Sequence, residues 1–540
     1  MSNVFNGNSQ PLIQDPPFVE SVNGLLNITL TLEEATISND VFTMTTRTFN
    51  GTLPGPTLIL SAGDTLNIQF INQLPSDEGR AYVHNAISAP NEANLHFHGL
   101  HVSGEAPSDD VELVIAGGGE SYNYSTTLPD NHHPGLHWLH PHRHGSTTLQ
   151  VFGGAAAAIV VRDEWAEDDN VPDIYQAAEP VLMFVQPMYF DELRGVARES
   201  QDSLFQVETT EETVFVVNGQ VRPFISASAG DWIRLRLVFA AGADEILRIT
   251  IPNCDMQLIA KDGIYLPTVP RSIDEAIVLQ GGRADILVSC PEPSSSYEIL
   301  QDGNRLLATV DTDATPSVEK ASLPIWTLDY PEYLQDLQSR TVLPNCSCPT
   351  DLGDGVNGFA FDENFTTHTY QLGQVVERRI DAGNHPYHQH VYPFQLQANY
   401  GTSGYYQAGD WHDVIGDTGA VRYLPTVFAS KLMVHCHRLE HEDTGMMGIE
   451  RHGDYCECGP VTNEQETWVI IAIAVGAALL LCCLCGGTYW YCRRQNSEDG
   501  GMEDSKASQG GLADKNEEEA ELVDEERNGE DAEPARDEEP

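Results

Sequence analysis

The stretch His435 to Met447 reads HCHRLEHEDTGMM and sets a thiol, three imidazoles and two thioethers close together. These are soft or borderline ligands, which favour copper, zinc or iron over magnesium or calcium. Two histidines and a cysteine around one metal, with a weak axial methionine, make the blue-copper arrangement used for electron transfer. Cys436, His441 and Met446 supply three of those four ligands, and the fourth must come from elsewhere in the chain. In an extended segment side chains alternate between faces, so His435 and His437 point away from Cys436. One strand can therefore feed a copper on one side and a different metal centre on the other.

Histidine spacing supports that second centre. The chain holds 19 histidines, for which chance spacing gives fewer than about one His-x-His pair. Five occur: His96/His98, His140/His142, His142/His144, His388/His390 and His435/His437. Residues two apart on a strand share a face, so each pair can present two imidazoles to one metal cluster. His101, His132, His133, His144 and His412 read as supporting or surface residues, and Asp413 as structural.

Four segments, LHFHG (Leu95 to Gly99), WLHPHRHG (Trp138 to Gly145), HPYHQH (His385 to His390) and HCHRLEHEDTGMM, resemble the copper-binding motifs of the multicopper oxidases in content, order and placement. NGTLPGPT and VNGQ resemble the same family outside those motifs, so the likeness runs from Leu25 to Gly453. The last motif and the proline of WLHPH look closest to the bacterial copper-efflux and spore-coat branches, whereas the C-terminal apolar run resembles membrane-anchored ferroxidases of yeasts.

The resemblance implies four copper ions. A type 1 copper would take His385, Cys436, His441 and axial Met446. The type 2 copper would take His96 and His388, and the type 3 pair His98, His140, His142, His390, His435 and His437. Electrons removed singly from a small reductant would pass from Cys436 through covalent bonds to His435 and His437, and the trinuclear centre would reduce dioxygen to water. An axial methionine in place of a non-ligating residue should lower the type 1 potential. Glu442 matches a family acid implicated in proton delivery, and Asp109 or Asp110 stands where the family usually has another.

The elements that must position these residues are strands. NITLTLEEATI and NGTLPGPTLILSAGDTLNIQFINQL alternate or carry β-branched runs between turn residues, and the same grammar returns at Val214 to Gly242 and His368 to Ile380. Ala-Gly-Asp recurs at Ala62 and Ala229, a weak internal repeat. At 540 residues the chain is too long for one core. The expected fold is all-β: three Greek-key β-sandwiches at 24–165, 175–325 and 350–460, which the resemblance makes cupredoxin-like, with joints at Asp163 to Pro180 and Pro316 to Pro349.

Trp468 to Tyr491 carries no charged residue and has aromatics at both ends. A run of about 20 apolar residues spans a bilayer, so a transmembrane helix is expected at 468–491. Arg493 and Arg494 follow, which puts the C-terminus in the cytoplasm and the large body outside or in a lumen. Residues 493–540 are acidic and poor in aliphatics, the composition of a disordered tail. The first residues lack an apolar signal-peptide core. Outside Cys436, the apolar run and the Cys492 beside it stand Cys254, Cys290, Cys346, Cys348, Cys456 and Cys458. With glycosylation sequons at Asn27, Asn50, Asn123, Asn345 and Asn364, they point to an oxidising compartment with disulfides whose pairing stays open.

The formal net charge of −53 excludes a general nucleic-acid partner, which needs basic residues against phosphate. An acidic field concentrates cations instead. The reading is an oxidase whose partners are dioxygen and a small reductant, either a metal ion such as Fe(II), Cu(I) or Mn(II) or a phenol, with a metal permease as a further partner at a membrane. Charge and anchor favour a metal ion, while 9 methionines and no Met-rich insert speak against Cu(I). The alternative is a non-catalytic cupredoxin array for adhesion or assembly, against which the complete ligand set argues. A copper nitrite reductase shares the type 1 site but has no need of the paired His-x-His motifs.

Overall fold

The computed structural model describes residues 10–461, apart from 78, 164–170, 316–319 and 402. The expected transmembrane helix at 468–491 and acidic tail at 493–540 lie outside the described residues. Among the described residues no helix is long and apolar enough to cross a membrane.

The described chain is built mainly of strands, in sheets of five to seven strands and one two-stranded ribbon. In the first region Leu25–Ser38 lies between Phe42–Phe49 and Thr65–Asn72, with Glu120–Thr127 beyond. Along Thr65–Asn72 the even positions are buried and the odd ones face outward or are half-buried, as a sheet with one wet face requires. Gln206–Thr209, within the span 175–325, pairs with Phe42–Thr45 of this first sheet.

Ile233–Phe239 departs from that pattern. Its sequence alternates, IRLRLVF, yet every residue is buried. Arg234 and Arg236 both donate to Asp285 at 3.0 Å, and Arg234 also to Asp163 at 2.7 Å. Paired and hydrogen-bonded, these charges can leave water.

The two family-like segments outside the copper motifs contain hairpin turns. Asn50 and Gly51 have φ of 52° and 70°, and Asn218 and Gly219 have 51° and 77°. They close the bridges Phe49–Thr52 and Val217–Gln220. Asn-Gly is the pair that adopts two successive positive φ values most readily, which is what a tight hairpin turn of this hand demands.

All six cysteines left for pairing are bridged: Cys254–Cys290, Cys346–Cys456 and Cys348–Cys458. Cys436 is free and buried. The last two bridges join the ends of Ser347–Gly353 and Glu457–Val461, strands of different sheets.

Candidate metal centre

Two strand pairs carry the histidine motifs. His96–His98 runs antiparallel to Gly135–His140, with His96 opposite His140 and His98 opposite Trp138. Tyr387–Gln389 runs antiparallel to Leu432–Cys436, with His388 opposite His435 and Tyr387 opposite Cys436. Alternation along the strands separates His388 and His435 from Tyr387 and Cys436.

The imidazoles of His96, His98, His140, His142, His388, His390, His435 and His437 meet in one buried cluster, each 3% or less exposed. His435 Nε2 lies 3.2 Å from His142 Nε2 and 3.1 Å from His390 Nε2. His96 Nε2 lies 3.4 Å from His388 Nε2. The sets His96/His98/His140, His96/His388/His390 and His142/His390/His435 each bring three ligand atoms within 4.8 Å of one another.

The outer nitrogens are tied down. His96 Nδ1 donates to Asp109 Oδ2 at 2.8 Å, while Asp109 Oδ1 accepts the Phe97 amide at 2.8 Å. His388 Nδ1 donates to the Asp413 carbonyl at 2.8 Å, His140 Nδ1 to the Pro141 carbonyl at 2.9 Å, and His435 Nδ1 to the Cys436 carbonyl at 3.1 Å. Each bond fixes a tautomer with the Nε2 lone pair facing inward. Among the described residues His140 Nε2 and both ring nitrogens of His98 and of His437 have no hydrogen-bond partner. Lone pairs packed this closely repel unless a cation lies between them, so the cluster fits copper ions. Burial, helped by neighbouring rings, holds His96, His98, His388, His390 and His437 well below the ordinary 6.5, and burial takes His140 and His142 to about 3. Neutral imidazole is the form that binds metal.

A glycine is needed beside this cluster. Gly281 has φ +79°, and a Cβ there would come 2.6 Å from His437 Nε2. Its carbonyl accepts the Trp138 indole N–H at 3.0 Å.

On the other side of the same strand, Cys436 Sγ lies 3.4 Å from His385 Nδ1 and 3.7 Å from His441 Nδ1, and those nitrogens are 3.1 Å apart. The Arg438 amide donates to the sulfur at 3.4 Å. Met446 comes next to this group through its backbone: its carbonyl accepts the Cys436 amide at 3.1 Å and its amide donates to the His441 carbonyl at 2.8 Å. His385 and His441 are half-buried, so this site sits near the surface. Burial pushes the Cys436 thiol up to about 12, a preference that a bound metal reverses, because the thiolate is the ligand.

Three carboxylates reach the eight-ring cluster. Glu442 is fully buried, with Oε1 3.4 Å from His142 Nδ1 and Oε2 3.2 Å from His435 Nδ1. Burial works to raise its carboxyl, but the two imidazoles hold it below the ordinary range. Asp109 holds His96, as above. Asp413 lies 3.5 Å from His98 Nε2 and is gripped by Arg283 through bonds of 2.7 and 2.6 Å. Burial raises its carboxyl to about 7 against the pull of Arg283.

Asp110, expected with Asp109 as a proton donor, turns elsewhere. Its carboxylate accepts from Lys431 Nζ at 2.9 Å and from the Glu112 amide at 3.1 Å. The lysine charge holds it away from the rings, so Asp109 alone of the two faces them. Asp413, expected as structural, stands beside the cluster. The single tryptophan of its setting, DWHDVI, is the one signal for it in the sequence. Asp443 was also missed: it accepts the Gly145 amide at 2.6 Å and the Thr148 amide at 2.8 Å, tying the HPHRHG segment to the helix Leu439–Asp443.

Three family models described as multicopper oxidase match residues 31–165, 190–318 and 329–451. Multicopper oxidase mco of Staphylococcus haemolyticus is 25% identical over 410 residues, covering 74% of this chain and 82% of its own length. Multicopper oxidase MmcO of Mycobacterium tuberculosis is 22% identical over 468 residues, covering 77% and 85%. The crystal structure of a laccase from Pediococcus acidilactici superposes with a TM-score of 0.65 at 22% identity, over 83% of this chain and 97% of that one, which supports a cupredoxin-like, mostly β fold. With family models along most of the described chain and two histidine-rich sites shaped for copper, this chain belongs to the multicopper oxidase family, the oxidoreductases that work with four copper ions.

Proposed function

We propose that the chain oxidises a small reductant one electron at a time at a type 1 copper held by His385, Cys436, His441 and Met446, and that dioxygen is reduced to water at a trinuclear centre. In this reading His96 and His388 hold the type 2 copper, and His98, His140, His142, His390, His435 and His437 the type 3 pair. When bound, the coppers accept and pass on single electrons. The chain's own residues do the rest. Cys436 is covalently continuous with His435 and His437, so the route between the sites is a run of bonds. Glu442, facing His142 and His435, is the proton carrier, and Asp109 orients His96. The observation that carries the reading is the pair of ligand sets on opposite faces of one strand.

A metal ion is the favoured reductant. Beside the half-exposed His385 and His441 a depression of about 220 Å³ is lined by Asp244, Asn384, Pro386 and Arg438. Glu192, Glu440, Glu245 and Asp244 gather nearby: burial first and then these three neighbours raise the Glu192 carboxyl. Asp244 is paired with Arg438 and Glu245 with Arg305, so the excess negative charge that attracts a cation and offers oxygen ligands is that of Glu192 and Glu440. The same reading takes 24–165, 175–325 and 350–460 as three cupredoxin units, anchors the chain by 468–491 with its C-terminus in the cytoplasm, adds carbohydrate at the exposed sequon asparagines, and gives it a metal permease as partner.

Oxygen uptake by the full chain with Fe(II), Cu(I), Mn(II) and a phenol tests this. Faster turnover of Fe(II) or Mn(II) is the expected result, and uptake with the phenol alone overturns the metal-ion reading. A second reading, a non-catalytic assembly protein, is prompted by relatives named cell division protein FtsP, among them that of Haemophilus influenzae, 26% identical over 278 residues. Copper-loaded protein with neither strong blue absorption nor oxygen uptake would establish it.

A further inference from the structure

Three more imidazoles meet outside both copper sites. His132 and His133 precede the strand Gly135–His140 and His137 lies within it. One ligand nitrogen from each comes within 4.8 Å of the others. Their ring centroids are 4.7, 5.2 and 5.6 Å apart, and all three are 5% or less exposed. Alternation sends His137 to the face opposite Trp138 and His140, away from the eight-ring cluster.

Their hydrogen bonds leave a demand unmet. His132 is satisfied: Nδ1 donates to the His133 carbonyl at 2.7 Å, and Nε2 accepts the His101 amide at 2.9 Å. His133 Nδ1 meets the Tyr333 hydroxyl at 2.8 Å, but its Nε2 has no partner. His137 has no hydrogen-bond partner at either nitrogen among the described residues. A neutral imidazole carries one N–H and one lone pair, so His137 buries both unanswered. The ring is also held in place, since Gly263, at φ +77°, lies so close that a Cβ would meet His137 Cε1 at 2.7 Å.

We propose that His133 and His137, joined by His132, bind a metal ion beyond the four coppers of the family site, and that this ion is monovalent copper. An all-imidazole set suits copper, zinc, iron or nickel. Charge decides among them. These ligands are neutral imidazoles, and the one carboxylate at hand is already engaged: a Cβ on Gly99 would meet the Arg283 guanidinium, His137 Nδ1 and Asp413 Oδ2, and Asp413 is bound to Arg283 at 2.7 and 2.6 Å. In a buried place with neutral ligands and only a compensated ion pair alongside, a singly charged ion is held at lower electrostatic cost than a doubly charged one. His132 joins only by giving up the His101 amide, so the two rings with unpartnered nitrogens are the primary ligands.

The test is the copper content of the full chain after anaerobic loading with Cu(I) and dialysis, combined with anomalous diffraction at the copper edge. Five coppers per chain are expected, one of them between His133 and His137. His137→Gln should lose that ion alone and keep the blue absorption. Four coppers with no peak at His133 and His137 overturns the proposal, as does an unchanged count in His137→Gln. Zn(II) displacing copper there in competition overturns the monovalent assignment. Should His137→Gln fail to fold, the anomalous map of the unaltered chain decides. The count of four rests on the family reading, and peak positions separate the two failures: absent peaks in the eight-ring cluster sink the oxidase reading, whatever lies at His133.

Discussion

Glu442 Oε2 stands 3.2 Å from His435 Nδ1, on the side of that ring turned away from His142 Nε2 and His390 Nε2. The carboxylate therefore touches the cluster without occupying a ligand position. Held below the ordinary carboxylate range, it is ionised at neutral pH and ready to take a proton. Glu442→Gln keeps the shape and removes that capacity. Proton transfer by a positioned side chain contributes about 10²–10⁴-fold, so reoxidation of the fully reduced protein by dioxygen should slow within that range while the blue absorption stays. Reoxidation at the normal rate would remove Glu442 from the proton path.

The acidic residues near His385 and His441 predict a split between substrates. Glu192→Gln together with Glu440→Gln should raise KM for Fe(II) by about tenfold, the effect of losing roughly 1.4 kcal/mol of cation attraction. A neutral phenol should be turned over as before. Equal changes for both substrates would mean that the acids shape the protein and do not attract the cation.

Copper-free protein should be acid-sensitive well above the carboxylate range. His96, His98, His388, His390 and His437 are held well below 6.5 by burial, and His101, His140 and His142 lie at about 3. The unfolded chain therefore binds more protons below pH 6.5, and stability falls as pH drops from there, by up to about 1.4 kcal/mol per pH unit for each ring. Guanidinium unfolding of the copper-free chain at pH 7 and pH 5 should show the loss. A midpoint that does not move would show that the rings are protonated while folded.

Cys346–Cys456 and Cys348–Cys458 each span 110 residues, but they join the same two strand ends. Once one bridge exists, the other closes only a small ring. Removing either alone should cost about 2 kcal/mol and removing both about 6–7 kcal/mol. Unfolding of the two single variants and the double variant measures this, and additive losses would refute the shared-loop account.

Much of the site is legible in the sequence because ligand chemistry restricts residue type and strand geometry restricts spacing. HCHRLEHEDTGMM announces a metal strand on its own. What stays hidden depends on partners far away in sequence. Asp413 reads as structural until Arg283 and His98 are seen beside it. Asp110 and Asp109 are equivalent on paper, and only Lys431 tells them apart. His137 is masked by the neighbouring Trp138 and His140, whose motif draws attention to the opposite face. The fold shows the same limit: alternation in TLNIQFIN reports burial faithfully, whereas in IRLRLVF two arginines that look solvent-facing are buried against Asp285.

The paired bridges also determine where a mechanical load would travel. Glu457–Val461 is the last described strand, and a pull from the chain beyond it reaches Cys458 and Cys456 before Met447–His452. Two covalent links then divert that pull into Cys346 and Cys348, at the start of Ser347–Gly353. The strand carrying Cys436 is bypassed. Under the proposed anchoring, a load applied at this end would leave the strand that carries the Cys436 sulfur unstretched.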